Sequence, residues 1–256
     1  MHPTRIAELL HPFLSSSCHS KPGQRPDEES ALLSPSQLNY ISTYIDLLLH
    51  WNSRINLTAI RNEEEIVTRH FGESLFAASH LFPKVYPVHP VPGACPERSR
   101  GVVKGVDVDV DLANDQRPTT NDRVADLGSG AGFPGIPIKL WAPKISLTLI
   151  ESNQKKATFL REVARSLTLT DINIQNTRAQ TLPPGTTFDV LTLRAVERLP
   201  EVLPVAARLL APQGRLALLI SSSQLDPTRS TLPNLAWETP IPIPLSQSRL
   251  LLVGRR

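Results

Sequence analysis

The sequence predicts a mostly parallel, doubly wound α/β sheet (a Rossmann-like fold) with a helical N-terminal segment. Three observations carry this. From Arg123 onward, short apolar runs alternate with capped helical stretches, the pattern of strand–helix–strand units. The first of these runs passes into Asp126-Leu127-Gly128-Ser129-Gly130-Ala131-Gly132-Phe133-Pro134-Gly135-Ile136-Pro137, which places three glycines at alternate positions between a strand and a helix. Upstream, residues 34–83 carry two helix-start signals.

Residues 1–33 hold a short helical stretch at 4–10 and then a Ser/Pro/Gly/Glu-rich run, and are expected to form a flexible extension. At Ser34 a helix begins: Ser34 is the N-cap, Pro35 the first helical residue, and Gln37 completes a capping box. Leu38, Ile41, Ile45 and Leu48 form its apolar stripe, which ends near Trp51. A loop at 52–58 leads to a second helix capped by Asn62. Glu63, Glu64 and Glu65 fill its first turn, where carboxylates favour the helix dipole, and it ends near Phe82. Residues 84–120 are proline-punctuated and show no capped helix, so a disordered insertion is expected. Residues 121–256 form the α/β domain, with strands at 123–127, 145–150, 172–175, 188–193, 215–220, about 235–241 and 249–253. The final pair is expected to make an antiparallel edge.

A net charge of +3 and a pI near 9.0 suit a nucleic-acid partner and an ordinary enzyme equally well. The two cysteines, Cys18 and Cys95, form no C-x-x-C, so no zinc site, redox dithiol or other metal centre is expected. No apolar run nears the ~20 residues of a membrane span. The stretch 6–14 is interrupted by Glu8, His11 and Pro12, unlike a signal peptide. A cytoplasmic protein without a membrane role is the expectation.

Glycine permits the positive φ angles and close backbone approach that a ligand-cradling turn needs. Proline is tolerated in the first helical turn that follows. Backbone N–H groups and a helix N-terminus then face the ligand. Three cofactor loops compete. A phosphate loop needs G-x-x-x-x-G-K-S/T, which is absent. A dinucleotide G-x-G-x-x-G begun at Gly128 meets Phe133 where its third glycine belongs. The third, D-x-G-x-G-x-G, is a loop for S-adenosylmethionine, which has an ammonium and ribose hydroxyls but no pyrophosphate. Asp126 suits the ammonium or a hydroxyl, and Glu151, at the end of the second strand, suits the ribose. The alternatives are a loop cap for Asp126 and a helix cap for Glu151.

Four segments then act as a set. Trp51-Asn52 followed by Asn56-Leu57-Thr58 matches W-N-x-x-x-N-L-T, and Arg69-His70 with Glu73-Ser74 matches R-H-x-x-D-S with Glu for Asp. Residues 126–137 match D-x-G-S/T-G-x-G-F/L-P-G-I/L-P, and Phe188-Asp189 through Arg194-Ala195 is similar to a segment ending in S-R-A. Together they resemble the bacterial 16S ribosomal RNA guanine-N7 methyltransferase family, also called glucose-inhibited division protein B, over about residues 34–83 and 121–256. The resemblance implies a seven-stranded methyltransferase sheet. It implies S-adenosylmethionine bound at the glycine loop, at Gly128 and Phe133 with Gly130 and Gly132 between and beside them, and contacts at Ala179 and Gln180. Arg194 matches the family's functional arginine. The implied substrate is a guanine in the 530 loop of 16S rRNA within the small ribosomal subunit, and no protein partner is implied. Two positions depart from the family: Gln180 stands where it has Glu, and Ile220-Ser221 where it has Lys-Gly.

Guanine N7 carries a lone pair and no proton, so its methylation needs positioning rather than a general base. Arg194 is expected to orient guanine O6, a phosphate or the cofactor; a strand-end salt bridge is its alternative. Asn56, Arg69 and His70 are candidates for an RNA-facing rim. Against these stand an Asn56 bonded to its own turn and a His70 satisfied within its helix. Lys155, Lys156 and Arg161 read as a solvated face. Two rival functions remain at this point. One is a weakened methyltransferase-fold protein that binds RNA, motivated by Gln180 and Ile220. The other is a methyltransferase with another RNA or a small-molecule substrate.

Overall fold

The computed structural model describes residues 1–15, 33–83, 121–195 and 199–256, and the structural statements below concern these. The proposed insertion 84–120 and both cysteines lie outside them.

One sheet organises the chain, in the order β3-β2-β1-β4-β5-β8-β6, with β7 also paired to β8. β1 (Arg123–Leu127), β2 (Ser146–Ile150), β3 (Ile172–Gln175), β4 (Phe188–Arg194) and β5 (Leu210–Ser221) run parallel. β8 (Arg249–Arg255) lies antiparallel beside β5. The sequence direction reverses between β1 and β4, which is where open α/β sheets take ligands at their strand C-termini.

The expected sixth strand at 235–241 is corrected to two short ones, β6 (Ala236–Trp237) and β7 (Ile241–Pro242). Their register against β8 slips by one residue, from Trp237 opposite Gly254 to Ile241 opposite Leu251. Pro240 and Pro242 have no N–H to continue a ladder, so the strand breaks there. The sheet therefore has eight strands rather than seven.

Side chains alternate between two apolar clusters along the central strands. Val124, Leu149, Val190, Ala217, Leu219 and Leu251 face one cluster; Ala125, Leu127, Leu191, Leu193, Leu218 and Ile220 face the other. The second is covered by α7 (Leu199–Leu209) through Leu199, Leu203 and Ala206. The first takes α5 (Gly135–Trp141), α6 (Gln154–Ser166) and all the N-terminal helices into one core. The helical subdomain thus shares its core with the sheet. A further helix, α8 (Leu225–Thr231), follows β5 and was not anticipated.

Residues 3–14 are the second correction. They form α1 (Pro3–Leu14), with Ile6, Leu10, Phe13 and Leu14 buried, and not a loose extension. α2 (Pro35–Asn52) begins at the expected capping box and buries Ile41, Tyr44, Ile45 and Leu48. Asn62 caps a continuous helical run. It comprises α3 (Glu63–Glu65), a π-helical segment (Ile66–Gly72) and α4 (Glu73–Leu81). Such π turns shift the phase of a helix and are frequent at functional sites; this one carries Arg69 and His70. Gly72 is required where it ends, since a Cβ there would meet the Phe13 ring of α1 at 2.6 Å.

Candidate active site

The glycine loop leaves β1 with Gly128, Gly130 and Gly132 all at positive φ, 71°, 56° and 89°. These glycines serve different ends. A Cβ on Gly132 would strike Ile136 at 2.7 Å and Leu160 at 3.0 Å, so that glycine permits helix packing. A Cβ on Gly130 would meet only the Gly128 carbonyl, at 3.8 Å, so this position borders open space. The Gly130 N–H donates to Glu151 Oε2 at 2.8 Å, and the Asn153 N–H donates to Glu151 Oε1 at 2.7 Å. Glu151 therefore ties the loop to the start of α6, and each carboxylate oxygen retains a lone pair for another donor.

Asp126 is placed differently from the expectation. Its carboxylate is fully buried, Oδ2 accepting the Gly135 N–H at 3.2 Å and Oδ1 accepting the Thr192 hydroxyl at 3.0 Å. It offers no surface to an ammonium, and of its two readings the loop fastening is the one realised. Burial pushes its carboxyl up to about 6, although the bonds from Thr192 and Gly135 act the other way.

Phe133 is likewise turned inward. Its ring stacks between Tyr44 (centroids 5.3 Å apart) and His70 (4.8 Å), with Phe71 edge-on at 5.1 Å. The Tyr44 hydroxyl donates to the Ala131 carbonyl of the same loop. The helical segment thereby grips the cofactor loop through an aromatic stack.

Beside it lies a polar network that begins in the 52–58 loop. Asn52 Oδ1 accepts from the Leu57 and Thr58 N–H groups, and its Nδ2 donates to the Thr58 carbonyl. Asn52, not Asn56, staples that turn; Asn56 is exposed and makes no hydrogen bond among the described residues. Thr58 Oγ1 lies 2.8 Å from His70 Nε2, and an Arg194 guanidinium nitrogen lies 2.9 Å from His70 Nδ1. Because the arginine can only donate, Nδ1 accepts and Nε2 carries the proton toward Thr58. Burial, then the charges of Arg194, Arg69 and Arg249, hold the His70 ring neutral, with its pKa lowered to about 3. His70 is held on both ring nitrogens, by Thr58 and Arg194. Arg69 remains exposed and pairs with Glu65 at 3.1 Å.

Arg194 ends β4, and Ala195 turns the chain there at φ 50°. Its second terminal nitrogen donates to the Arg69 carbonyl at 2.6 Å and to Glu73 Oε2 at 3.1 Å. Glu73, 3% exposed, also pairs with Arg249 at 2.9 Å. The salt-bridge reading of Arg194 is thus realised, but in a buried setting at the strand ends. Ala179 and Gln180 form a short 3-10 turn beyond β3, and Arg208 lies 3.4 Å from both carbonyls. Asn176 donates to the Glu151 and Ser152 carbonyls, which holds the ends of β2 and β3 together. Ile220, the position where charge was expected from the resemblance, packs in the apolar cluster with Leu193 and Leu250.

The sequence reading missed Tyr44, Asn52, Thr58, Glu73 and Arg249 as site residues. Three of the five, Asn52, Thr58 and Glu73, lie in the matched segments; Tyr44 and Arg249 carried no such signal. Among the described residues no group of three or more His, Cys, Asp or Glu could hold a metal, and no helix is long and apolar enough to cross a membrane.

A family model described as rRNA small subunit methyltransferase G matches residues 37–85 and 111–235. The Ribosomal RNA small subunit methyltransferase G of Xylella fastidiosa (strain 9a5c) is 33% identical over 216 residues, covering 83% of this chain and 84% of that protein. Its counterpart in Bacillus pumilus (strain SAFR-032) is 31% identical over 202 residues, covering 77% and 70%. A crystal structure of ribosomal protein L11 methylase from Lactobacillus delbrueckii subsp. bulgaricus aligns with a TM-score of 0.47 at 20% identity, over 54% of this chain and 72% of that one.

Proposed function

The chain belongs to the rRNA small subunit methyltransferase G family, and from that premise we propose that it methylates N7 of a guanine in the 530 loop of 16S rRNA, with S-adenosylmethionine as donor and the small ribosomal subunit as substrate. The observation that carries this reading is the open side of Gly130 beside Glu151, next to the β1–β4 reversal and to Arg194 on the neighbouring strand.

The residues fit the cofactor. Glu151 would receive the ribose hydroxyls on its remaining lone pairs, Gly128, Gly130 and Gly132 would let the backbone approach, and Ala179 and Gln180 would border the base. The bound cofactor supplies an activated methyl group on a sulfonium. Guanine N7 attacks with its own lone pair, so this chain's task is alignment. The carboxylate and the imidazole nearest the site suit that account. Asp126 and His70 are both enclosed and hydrogen-bonded, so neither presents a base to the substrate. Arg194 is held by Glu73 and His70 at the end of β4, placed to orient the purine or an anionic group.

The test is transfer of a labelled methyl group to small subunits from a strain lacking the gene, followed by nucleotide mapping. N7-methylguanosine in the 530 loop is the expected product; unlabelled subunits, or label elsewhere, sink the assignment. In the same preparation Glu151→Gln is expected to weaken cofactor binding about 10–100-fold by calorimetry, the loss of a charged hydrogen-bond set.

A further inference from the structure

Two arginines beside the site share one carboxylate as their ion-pair partner. Arg194 and Arg249 both pair with the single carboxylate of Glu73, at 3.1 and 2.9 Å, and the adjoining His70 is neutral. Arg194 keeps a deficit: its Nε has no hydrogen-bond partner among the described residues, although the side chain is only 9% exposed. An unmet buried donor of this kind is costly and asks for an explanation. Arg249 is less enclosed, 25% exposed, so one face of the pair reaches solvent.

That face opens on a cleft of about 180 Å³ at the C-terminal ends of β4 and β5. Arg194, Arg249, Ser221 and Gln224 supply its polar wall, and Leu219 and Ile220 part of its apolar wall. Ser221 stands opposite Arg249 in the β5–β8 register, which puts both side chains on one face of the sheet. Ile220 and Ser221 bring no charge of their own, so the cation at this corner comes from β8. No residue of the glycine loop, and not Glu151, lines the cleft. Arg194 is the residue it shares with the site described above.

We propose that this cleft is a phosphate subsite, taking one backbone phosphate of the RNA strand that carries the target guanine, with Arg249 as its donor and the unbonded Nε of Arg194 behind it. Guanidinium forks suit phosphate oxygens in number and geometry. Gln224, whose Oε1 is held by the Ser221 N–H and hydroxyl, keeps its amide Nε2 as a neutral donor at the same wall. A phosphate here fixes where the strand crosses the strand ends, and so helps place the base. This subsite rests on the RNA substrate proposed above.

The experiment compares wild type, Arg249→Gln and Ser221→Asp. Binding to undermethylated small subunits is measured across a salt series, with cofactor affinity by calorimetry and thermal unfolding alongside. Arg249→Gln is expected to lose about tenfold in subunit affinity and to lower the slope of log K against log salt by ~0.7–1, one phosphate contact. Ser221→Asp places a carboxylate in the cleft opposite Arg249, where it competes with the phosphate for that guanidinium, and is expected to lose at least as much. Asp is also a good N-cap for the short turn that Ser221 begins, so folding is retained, and this variant decides if Arg249→Gln unfolds. Both variants should keep cofactor affinity within about twofold. An unchanged salt slope together with wild-type binding by Ser221→Asp overturns the subsite. A parallel fall in cofactor affinity also overturns it, by assigning the arginines to the cofactor's carboxylate. A wild-type protein that neither binds nor methylates the subunits overturns the substrate reading itself, a failure visible before any variant is made.

Discussion

Asp126 accepts hydrogen bonds from Gly135 and Thr192 in a place that water does not reach, and its charge is therefore a burden on the fold. Its carboxyl ordinarily titrates at 3.8 and is raised to about 6, chiefly by burial. The folded chain holds that proton more tightly than the unfolded chain does. The contribution is fully present below pH 3.8 and is lost as pH rises through about 6. Asp126→Asn does not titrate. Wild type should thus lose about 2 kcal/mol relative to this variant between pH 4 and pH 7, as read from urea unfolding at both values. A difference independent of pH removes Asp126 from this role. The residue's importance was legible in the sequence, but its orientation was not. A carboxylate at the end of a strand, ahead of glycines, serves equally as ligand or fastener, and only burial separates the two. Glu73 was hidden for another reason. Its meaning comes from Arg194 and Arg249, which lie far along the chain and meet it only through the sheet.

Helix α2 shows what spacing reveals and what it omits. The stripe of Ile41, Ile45 and Leu48 follows from the helical repeat, and all three are buried. Tyr44 shares that face, yet its phenol marks it as amphipathic and hides its role. Its ring packs on Phe133 while its hydroxyl holds the Ala131 carbonyl, so one side chain of α2 sets both layers of the loop. Tyr44→Phe keeps the ring and leaves a buried carbonyl unsatisfied. We expect a stability loss of about 1–3 kcal/mol and a severalfold weaker cofactor affinity, seen by thermal unfolding and calorimetry. Unaltered values for both would show that the hydroxyl does not hold the loop. The parallel strands β1 to β4 were legible to within a residue because each is an apolar run closed by a turn or a cap, whereas β5 begins at Leu210, ahead of the expected start at 215. The outer edge was less so. A reading by hydrophobicity runs through Pro240 and Pro242, but a hydrogen-bond ladder does not.

Across the whole molecule, the two regions that composition separates are a single body. One apolar cluster runs from α1 through α2 and α4 to Leu219 and Leu251 of the sheet. Composition misled at the N-terminus in extent: the helix expected over 4–10 runs through Pro12 to Leu14 and buries Ile6, Leu10, Phe13 and Leu14, where a flexible extension was expected. Phe13→Ala empties the space that Gly72 leaves for the ring and should cost about 3–5 kcal/mol in denaturant unfolding. A loss below ~1 kcal/mol would return α1 to the status of an appendage. The Arg194–Glu73–Arg249 bridge carries a consequence for synthesis. Its carboxylate emerges from a translating ribosome with the helices, its first arginine with the fourth strand, and its second only with the eighth. A nascent chain that stops short of β8 holds Glu73 half-paired in a place where a lone charge is costly. Completion of the sheet and arming of the site are then a single event, and a partly made enzyme is an inert one.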